Sequence, residues 1–130
     1  RLQEQESGVL MGTDTFWEGV DLPGNQMSLL IIVRLPFRSP ADPFYQAWLE
    51  EMPSGKVFAD LMIPEAVLKM KQGMGRLIRS EHDRGNIVIL DRRMLPPPQG
   101  KGYANQFISS LPMGKPQLVN LEQLLRSVVD

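Results

Sequence analysis

The chain has 130 residues, of which 42% are hydrophobic and 22% are charged; this composition is typical of one folded domain and excludes a disordered tail. It contains no cysteine, which excludes disulfides, zinc ribbons, iron–sulfur ligation and a cysteine nucleophile within these residues. Fourteen lysines and arginines against fifteen acidic residues give a net charge of −1, so the total charge favours neither an acidic nor a basic partner. The first residue is not a methionine, and we expect the chain to be part of a longer protein.

In the first half of the chain, apolar runs predict two strands, and an aspartate–proline pair predicts the start of a helix. A short strand is expected near residues 8–12, and a strand buried on both faces at residues 28–34, where five aliphatic residues follow one another. That aliphatic run is far shorter than the ~20 residues of a membrane span, so no membrane partner is predicted. Asp42 and Pro43 predict the N-cap and first residue of a helix that ends near Met52.

The second half of the chain predicts helices around a further strand. Pro64 is expected to begin a helix that runs to about Ser80, with an apolar stripe made of Ala66, Val67, Met70, Met74, Leu77 and Ile78. Residues 86–91 predict a second buried strand, and residues 103–110 and 118–129 predict helices. The recurring order of strand, crossover helix and strand predicts an α/β fold with a mostly parallel sheet. We expect one domain over residues 1–130, with a leading segment at 1–7 and a C-terminal helix at 118–130.

Positive charge is concentrated in one window of the sequence. Residues 69–93 carry seven positive side chains against three negative ones, a local charge of +4 in a chain whose total is −1. A local excess of this size is a candidate anion-binding site.

The helix predicted from Pro64 also carries a polar stripe. Its members are Lys69, Gln72, Arg76 and Arg79, whose spacings of three and four residues place them on one helix face. Guanidinium groups match phosphate oxygens, so this face could hold a phosphate chain, whereas a solvated or salt-bridged face is the structural alternative. Gly73 and Gly75 each cost about 1 kcal/mol in a helix interior, which indicates either a closely approaching ligand or backbone, or close packing of the helix on the sheet.

A loop follows the first predicted strand, at the edge where parallel sheets bind ligands. It begins with Thr13 and Asp14 and continues to Gly24 through Gly19 and Asp21. Asp21 could accept hydrogen bonds from sugar hydroxyls, and Thr13 or the backbone near Gly19 could contact a phosphate. The alternative is that these residues only close a turn and fill the core.

Other types of chemistry have weaker support in this sequence. His82 is the sole histidine and lies between Glu81 and Asp83 in a predicted helix-ending turn, where a solvated side chain is expected. Paired carboxylates such as Glu50 and Glu51 point apart on a helix, so no metal site is predicted. The sequence contains no glycine-rich phosphate loop ending in GK[ST].

Together the polar stripe and the loop resemble two motifs of superfamily 2 helicases. Residues 72–79 (QGMGRLIR) match the pattern QxxGRxxR of motif VI, and residues 13–23 are similar to motif V. The further segments RLPF, ILDRR and SLP make the sequence similar to the DinG-type branch of the XPD-like helicases. The resemblance covers residues 8–112 and implies a RecA-like second motor domain, incomplete here, of an ATP-dependent DNA helicase.

The resemblance also implies roles for individual residues. Arg76 and Arg79 would face the terminal phosphates of ATP across a cleft between two motor domains, with Arg79 as the arginine finger. The other nucleotide contacts it implies are Gln72 and Gly75 at the phosphates, Asp21 at the ribose, and Glu18 and Gly19, which would couple the nucleotide to the DNA strand. Thr13 and Asp14 would contact the DNA backbone.

The partners follow from the same resemblance. ATP and Mg²⁺ would be bound mostly by the N-terminal RecA-like domain of the same chain, an iron–sulfur cluster would lie elsewhere in some members, and the substrate would be single-stranded or forked DNA in the bacterial cytoplasm. This chain alone is then expected to be inactive. A non-catalytic nucleic-acid-binding module built on the same fold, whose basic window binds DNA phosphates directly, remains the alternative, as does a plain scaffold.

Overall fold

Two parallel strands form the sheet in a computed structural model that describes residues 8–13, 28–77, 86–95, 98–111 and 117–129. Strand β1 (Leu29–Ile32) pairs with β2 (Asn86–Ile89) in parallel, with Leu29 opposite Asn86 and Ile32 opposite Ile89. Parallel neighbours need a long crossover connection, and the helical residues between the two strands supply it. The predicted combination of a small parallel sheet with helices is therefore confirmed for the described residues.

Helix α1 (Pro43–Glu51) begins and ends where the sequence predicts. The Asp42 side chain accepts a hydrogen bond from the Phe44 N–H at 2.9 Å, which satisfies one of the free donors at the helix start. Pro43 occupies the first turn, where its missing N–H has no consequence. The Met52 N–H donates to the Trp48 carbonyl, and Met52 itself is extended, so the helix ends there.

The next helix begins ten residues earlier than the sequence predicts. It starts as α2 (Ser54–Val57), passes through a π-helical turn (Phe58–Met62) and continues as α3 (Ile63–Leu77), so Pro64 lies inside it. A proline ring collides with the carbonyl four residues earlier in a regular α-helix. The wide turn before Pro64, in which the Ile63 N–H reaches back to the Phe58 carbonyl, accommodates the ring. Residues 78–80 of the predicted helix lie outside the described residues.

Shorter elements complete the described chain. A 3₁₀ turn (Arg92–Met94) follows β2, and helix α4 (Ala104–Ser110) matches its prediction to one residue. Helix α5 (Leu121–Val129) starts three residues later than predicted because Asn120 and Gln123 cap each other: Asn120 Oδ1 accepts the Gln123 N–H at 2.9 Å and Gln123 Oε1 accepts the Asn120 N–H at 3.0 Å. None of the helices in the described ranges has the length and apolar character to cross a membrane.

The core lies between one face of the sheet and helices α3 and α4. From the predicted apolar stripe of α3, Ala66, Met70 and Met74 are buried against Ile32 of β1 and Phe107 of α4. An aromatic cluster centred on Phe37 extends this core, with ring centroids 5.6 Å from Phe58 and Tyr103 and 5.7 Å from Phe107.

Two predictions about the sheet are wrong. The strand at 28–34 is not buried on both faces, because Ile31 is 51% and Val33 65% exposed; the described helices pack on the opposite face only. Residues 8–13 form no strand: they are all exposed, and no described strand pairs with them. A strand draws its hydrogen bonds from a neighbour, so this segment has no ladder to hold it extended.

Candidate functional site

The carboxyl ends of the two strands are joined by a buried carboxylate. Asp91 follows β2, and its Oδ2 accepts a hydrogen bond from the backbone N–H of Leu35, which follows β1, at 2.8 Å. The Asp91 side chain is only 6% exposed. This contact fixes the two loops at the edge where open parallel sheets bind their ligands.

Arg93 completes the network around this carboxylate. Its Nε lies 2.9 Å from Asp91 Oδ1, its own backbone N–H donates to the same oxygen at 3.0 Å, and its guanidinium lies 5.0 Å from the centroid of the Phe37 ring. Burial alone would raise the pKa of Asp91, but the hydrogen bonds from Arg93 and from the Leu35 N–H outweigh it and lower that pKa to about 2. The carboxylate is therefore charged at neutral pH.

Sequence reasoning assigned no role to this network. Asp91 and Arg93 enter the sequence analysis only as members of the charged window 69–93 and of the segment ILDRR. An acidic residue placed directly after a buried strand was the available signal, but its main partner, the Leu35 N–H, is 56 residues away in the chain.

Arg38 ties the loop after β1 to two helices. Its Nε donates to Glu65 Oε2 of α3 at 3.1 Å, its Nη1 donates to Asp42 Oδ2 at 3.1 Å, and its guanidinium lies 5.4 Å from the Phe44 ring centroid. The hydrogen bonds that Arg38 donates to Glu65 and Asp42 raise the pKa of Arg38, and the bond to Glu65 in turn lowers the pKa of Glu65. Arg38 is thus occupied with internal carboxylates.

The polar stripe of α3 is only partly described. Gln72 and Gly75 are exposed, and a Cβ added at Gly75 would meet no atom within 4 Å. Lys69 behaves as the structural alternative predicts, because its Nζ pairs with Glu65 at 3.3 Å. Gly73 is buried on the core side, which favours close packing as the reason for that glycine.

The two arginines of the stripe are not tested by the structure. The helical backbone continues through position 76, but the Arg76 side chain lies outside what is described, and so does all of Arg79. The predicted pair of guanidinium groups therefore stays a prediction.

Most of the predicted loop site also lies outside the described residues. Thr13 is exposed at the end of residues 8–13, whereas Asp14, Glu18, Gly19 and Asp21 are not described. The proximity of the loop residues to the helix residues therefore stays a prediction. In the described part of the chain, no three His, Cys, Asp or Glu side chains form a group that could hold a metal ion.

Comparison with known proteins identifies one matching family and several similar proteins. The family described as "Helicase C-terminal domain" matches residues 1–114. The chain is 48% identical over 106 residues to a protein of Bacillus subtilis named 3'-5' exonuclease DinG, which covers 80% of the chain and 11% of that protein. It is 44% identical over 108 residues to the ATP-dependent DNA helicase YoaA of Escherichia coli, covering 82% of the chain and 16% of that protein.

A third relative agrees with these two. The ATP-dependent DNA helicase DinG of Photobacterium profundum is 42% identical over 106 residues, covering 80% of the chain and 15% of that protein. The chain therefore spans only 11% to 16% of the length of these relatives. No solved structure matches the chain.

Proposed function

We propose that this chain, which belongs to the family of DinG-type helicase C-terminal domains, is the C-terminal motor-domain portion of an ATP-dependent DNA helicase. The parallel sheet flanked by helices supports a RecA-like fold for it. The observation that carries the proposal is the exposed side of α3, where Gln72 and Gly75 face solvent while Met70 and Met74 anchor the opposite side in the core. A motif that must contact a ligand held by another domain needs this placement.

The proposed role of α3 is to stabilise the charge that builds up on the phosphoryl oxygens during transfer. Arg76 follows Gln72 by four residues and Arg79 follows Arg76 by three, so their positions would share one side of a helix that continues to about Ser80, as the sequence predicts. We assign Arg79 as the arginine finger on the terminal phosphate of ATP, Arg76 as its neighbour on the phosphates, and Gln72 and Gly75 as further phosphate contacts. A finger of this kind contributes roughly 10³–10⁵ to the rate because it counters charge on the transferring oxygens.

The remaining assignments concern residues 13–21. We assign Asp21 to the ribose, Glu18 and Gly19 to coupling between nucleotide and strand, and Thr13 and Asp14 to the DNA backbone. The N-terminal RecA-like domain of the same protein would hold most of the ATP together with Mg²⁺, and an iron–sulfur cluster, where present, would also lie outside this chain. The protein would act on single-stranded or forked DNA in the bacterial cytoplasm, moving along it as the two domains close and open.

ATP hydrolysis should require the rest of the protein. We expect the 130-residue chain to hydrolyse no ATP and the full-length protein to hydrolyse it faster when single-stranded DNA is added, because the finger and the phosphate-binding loop lie on different domains. Steady-state hydrolysis with and without a single-stranded oligonucleotide measures both. Tight binding of single strands by the isolated chain, with a steep salt dependence and no hydrolysis by the full-length protein, would instead identify a non-catalytic module.

Gly75→Ala tests whether a ligand or another domain approaches α3 closely. The added methyl meets open space within this chain, so the helix should become more stable by about 1 kcal/mol. In the full-length protein we nevertheless expect kcat/KM for ATP to fall by about tenfold or more, since the methyl would occupy the space of a partner across the cleft. Gly55→Ala is the matched control: it is also helical with nothing within 4 Å, and it should leave hydrolysis unchanged. Equal activity in the two variants would remove Gly75 from the site.

A further inference from the structure

We propose that Arg34 and Arg92 form a pair that binds the phosphates of a single DNA strand at the carboxyl edge of the sheet. The inference rests on the proposed function, and it adds a DNA contact outside motifs V and VI, in the segments RLPF and ILDRR, to whose arginines no role has been assigned.

Four arginines follow the two strands, and only two of them pair with described carboxylates. Arg38 is held by Glu65 and Asp42, and Arg93 is held by Asp91. Arg34 and Arg92 are both exposed and make no ion pair with any residue in the described ranges. Within the described part of the chain, this edge therefore presents two guanidinium groups that no carboxylate compensates.

The second observation is that the backbone at both positions is held in place. Arg34 and Arg92 each lie one residue from the 2.8 Å hydrogen bond between the Leu35 N–H and Asp91 Oδ2. The adjacent ladder bond, from the Leu90 N–H to the Ile32 carbonyl at 2.9 Å, aligns the same two strand ends. Asp91 also caps the 3₁₀ turn that begins with Arg92. The two arginines thus follow neighbouring strand ends whose backbone is held by a buried, charge-compensated carboxylate. Less conformational entropy is therefore lost when they bind a ligand.

The third observation concerns the surroundings of the pair. Val33, which directly precedes Arg34, is 65% exposed, and Leu90, two residues before Arg92, is 55% exposed. Exposed apolar side chains beside forked phosphate donors suit a polymer that offers both phosphates and base or sugar faces, as single-stranded nucleic acid does. The proposed contacts with ATP lie elsewhere, on α3 and on residues 18–21. The geometry therefore favours the DNA strand as the source of the phosphates.

The test is salt-dependent binding of a fluorescein-labelled oligo-dT to the full-length protein, followed by anisotropy. For single strands, each phosphate contact contributes about 0.7 to the slope of log K against log salt, so Arg34→Gln/Arg92→Gln should lower the slope by about 1.4. Arg34→Lys/Arg92→Lys, which keeps both charges, should restore most of that slope. Lys56→Gln is the control, because Lys56 is exposed on α2, follows neither strand and pairs with no described residue. KM for ATP without DNA should be unchanged in all three variants.

The possible results distinguish a failure of the arginine pair from a failure of the proposed helicase function. An unchanged slope in the glutamine variant, with normal hydrolysis of ATP, would overturn the pair and leave the helicase assignment intact. A raised KM for ATP with an unchanged DNA slope would assign the two arginines to the nucleotide and also overturn the inference. A wild-type protein that neither binds single strands nor hydrolyses ATP would overturn both proposals.

Discussion

Arg79→Ala in the full-length protein is expected to lower kcat for ATP hydrolysis by roughly 10³–10⁵, which corresponds to about 4–7 kcal/mol of activation free energy. The finger acts only when charge builds up on the transferring phosphoryl group, so its loss should affect kcat far more than ATP binding. Steady-state kinetics at saturating single-stranded DNA measure the effect. Circular dichroism should remain that of the wild type, because the role proposed for Arg79 is a contact with the ligand and not packing in the core.

Two further variants make this result interpretable. Arg79→Lys keeps the charge but loses the planar fork of donors, so it should recover only a small part of the rate. Lys71→Ala removes an exposed cation from α3 that pairs with no described residue, and it should hydrolyse ATP normally. Near-normal turnover by Arg79→Ala would show that the arginine finger is a different residue.

Asp91→Ala is expected to destabilise the carboxyl edge of the sheet by about 3 kcal/mol, because it leaves the buried Leu35 N–H without an acceptor and the Arg93 guanidinium without its partner. The loss should appear as a roughly hundredfold faster hydrogen exchange at the Leu35 amide, which mass spectrometry detects in a peptide that spans residues 33–38. Asp60→Ala, a change at an exposed carboxylate of the π-helical turn, is the control and should leave this exchange unchanged.

The same carboxylate makes the stability of the edge depend on pH. The pKa of Asp91 is lowered to about 2 from an ordinary value near 3.8, so its contribution of about 2 kcal/mol is complete above pH 5 and disappears as the pH falls toward 2. Urea unfolding at a series of pH values should therefore show wild type and Asp91→Ala converging in acid. A stability difference that stays constant down to pH 2 would mean that the hydrogen bonds from Arg93 and the Leu35 N–H do not lower the pKa of Asp91 in the folded protein.

Local sequence signals were sufficient where local chemistry decides the structure. Asp42-Pro43 predicted the start of α1, and runs of aliphatic residues predicted β1 and β2, because caps and buried strands are determined by a few neighbouring residues. The stripe of Ala66, Met70 and Met74 predicted the buried side of α3 for the same reason.

Predictions from the sequence failed where distant contacts or unusual backbone geometry decide. Pro64 predicts a helix start, but the helix continues past it through a π-helical turn, and no residue next to Pro64 distinguishes the two cases. The Asp91–Leu35 contact joins two segments that only the parallel pairing of β1 and β2 brings together. The family, in contrast, was predictable because two spaced motifs in order are specific, whereas the contacts of Arg79, Arg76 and Asp21 remain predictions.

The proposed contact of Arg79 and Arg76 with ATP can be tested by a structure of the full-length protein with a transition-state analogue of ATP and single-stranded DNA. We expect the two guanidinium groups to lie within about 2.7–2.9 Å of phosphate or analogue oxygens bound mainly by the other motor domain. The assignment is wrong if those two side chains pack against the sheet, or pair with carboxylates of their own domain, while the nucleotide binds elsewhere.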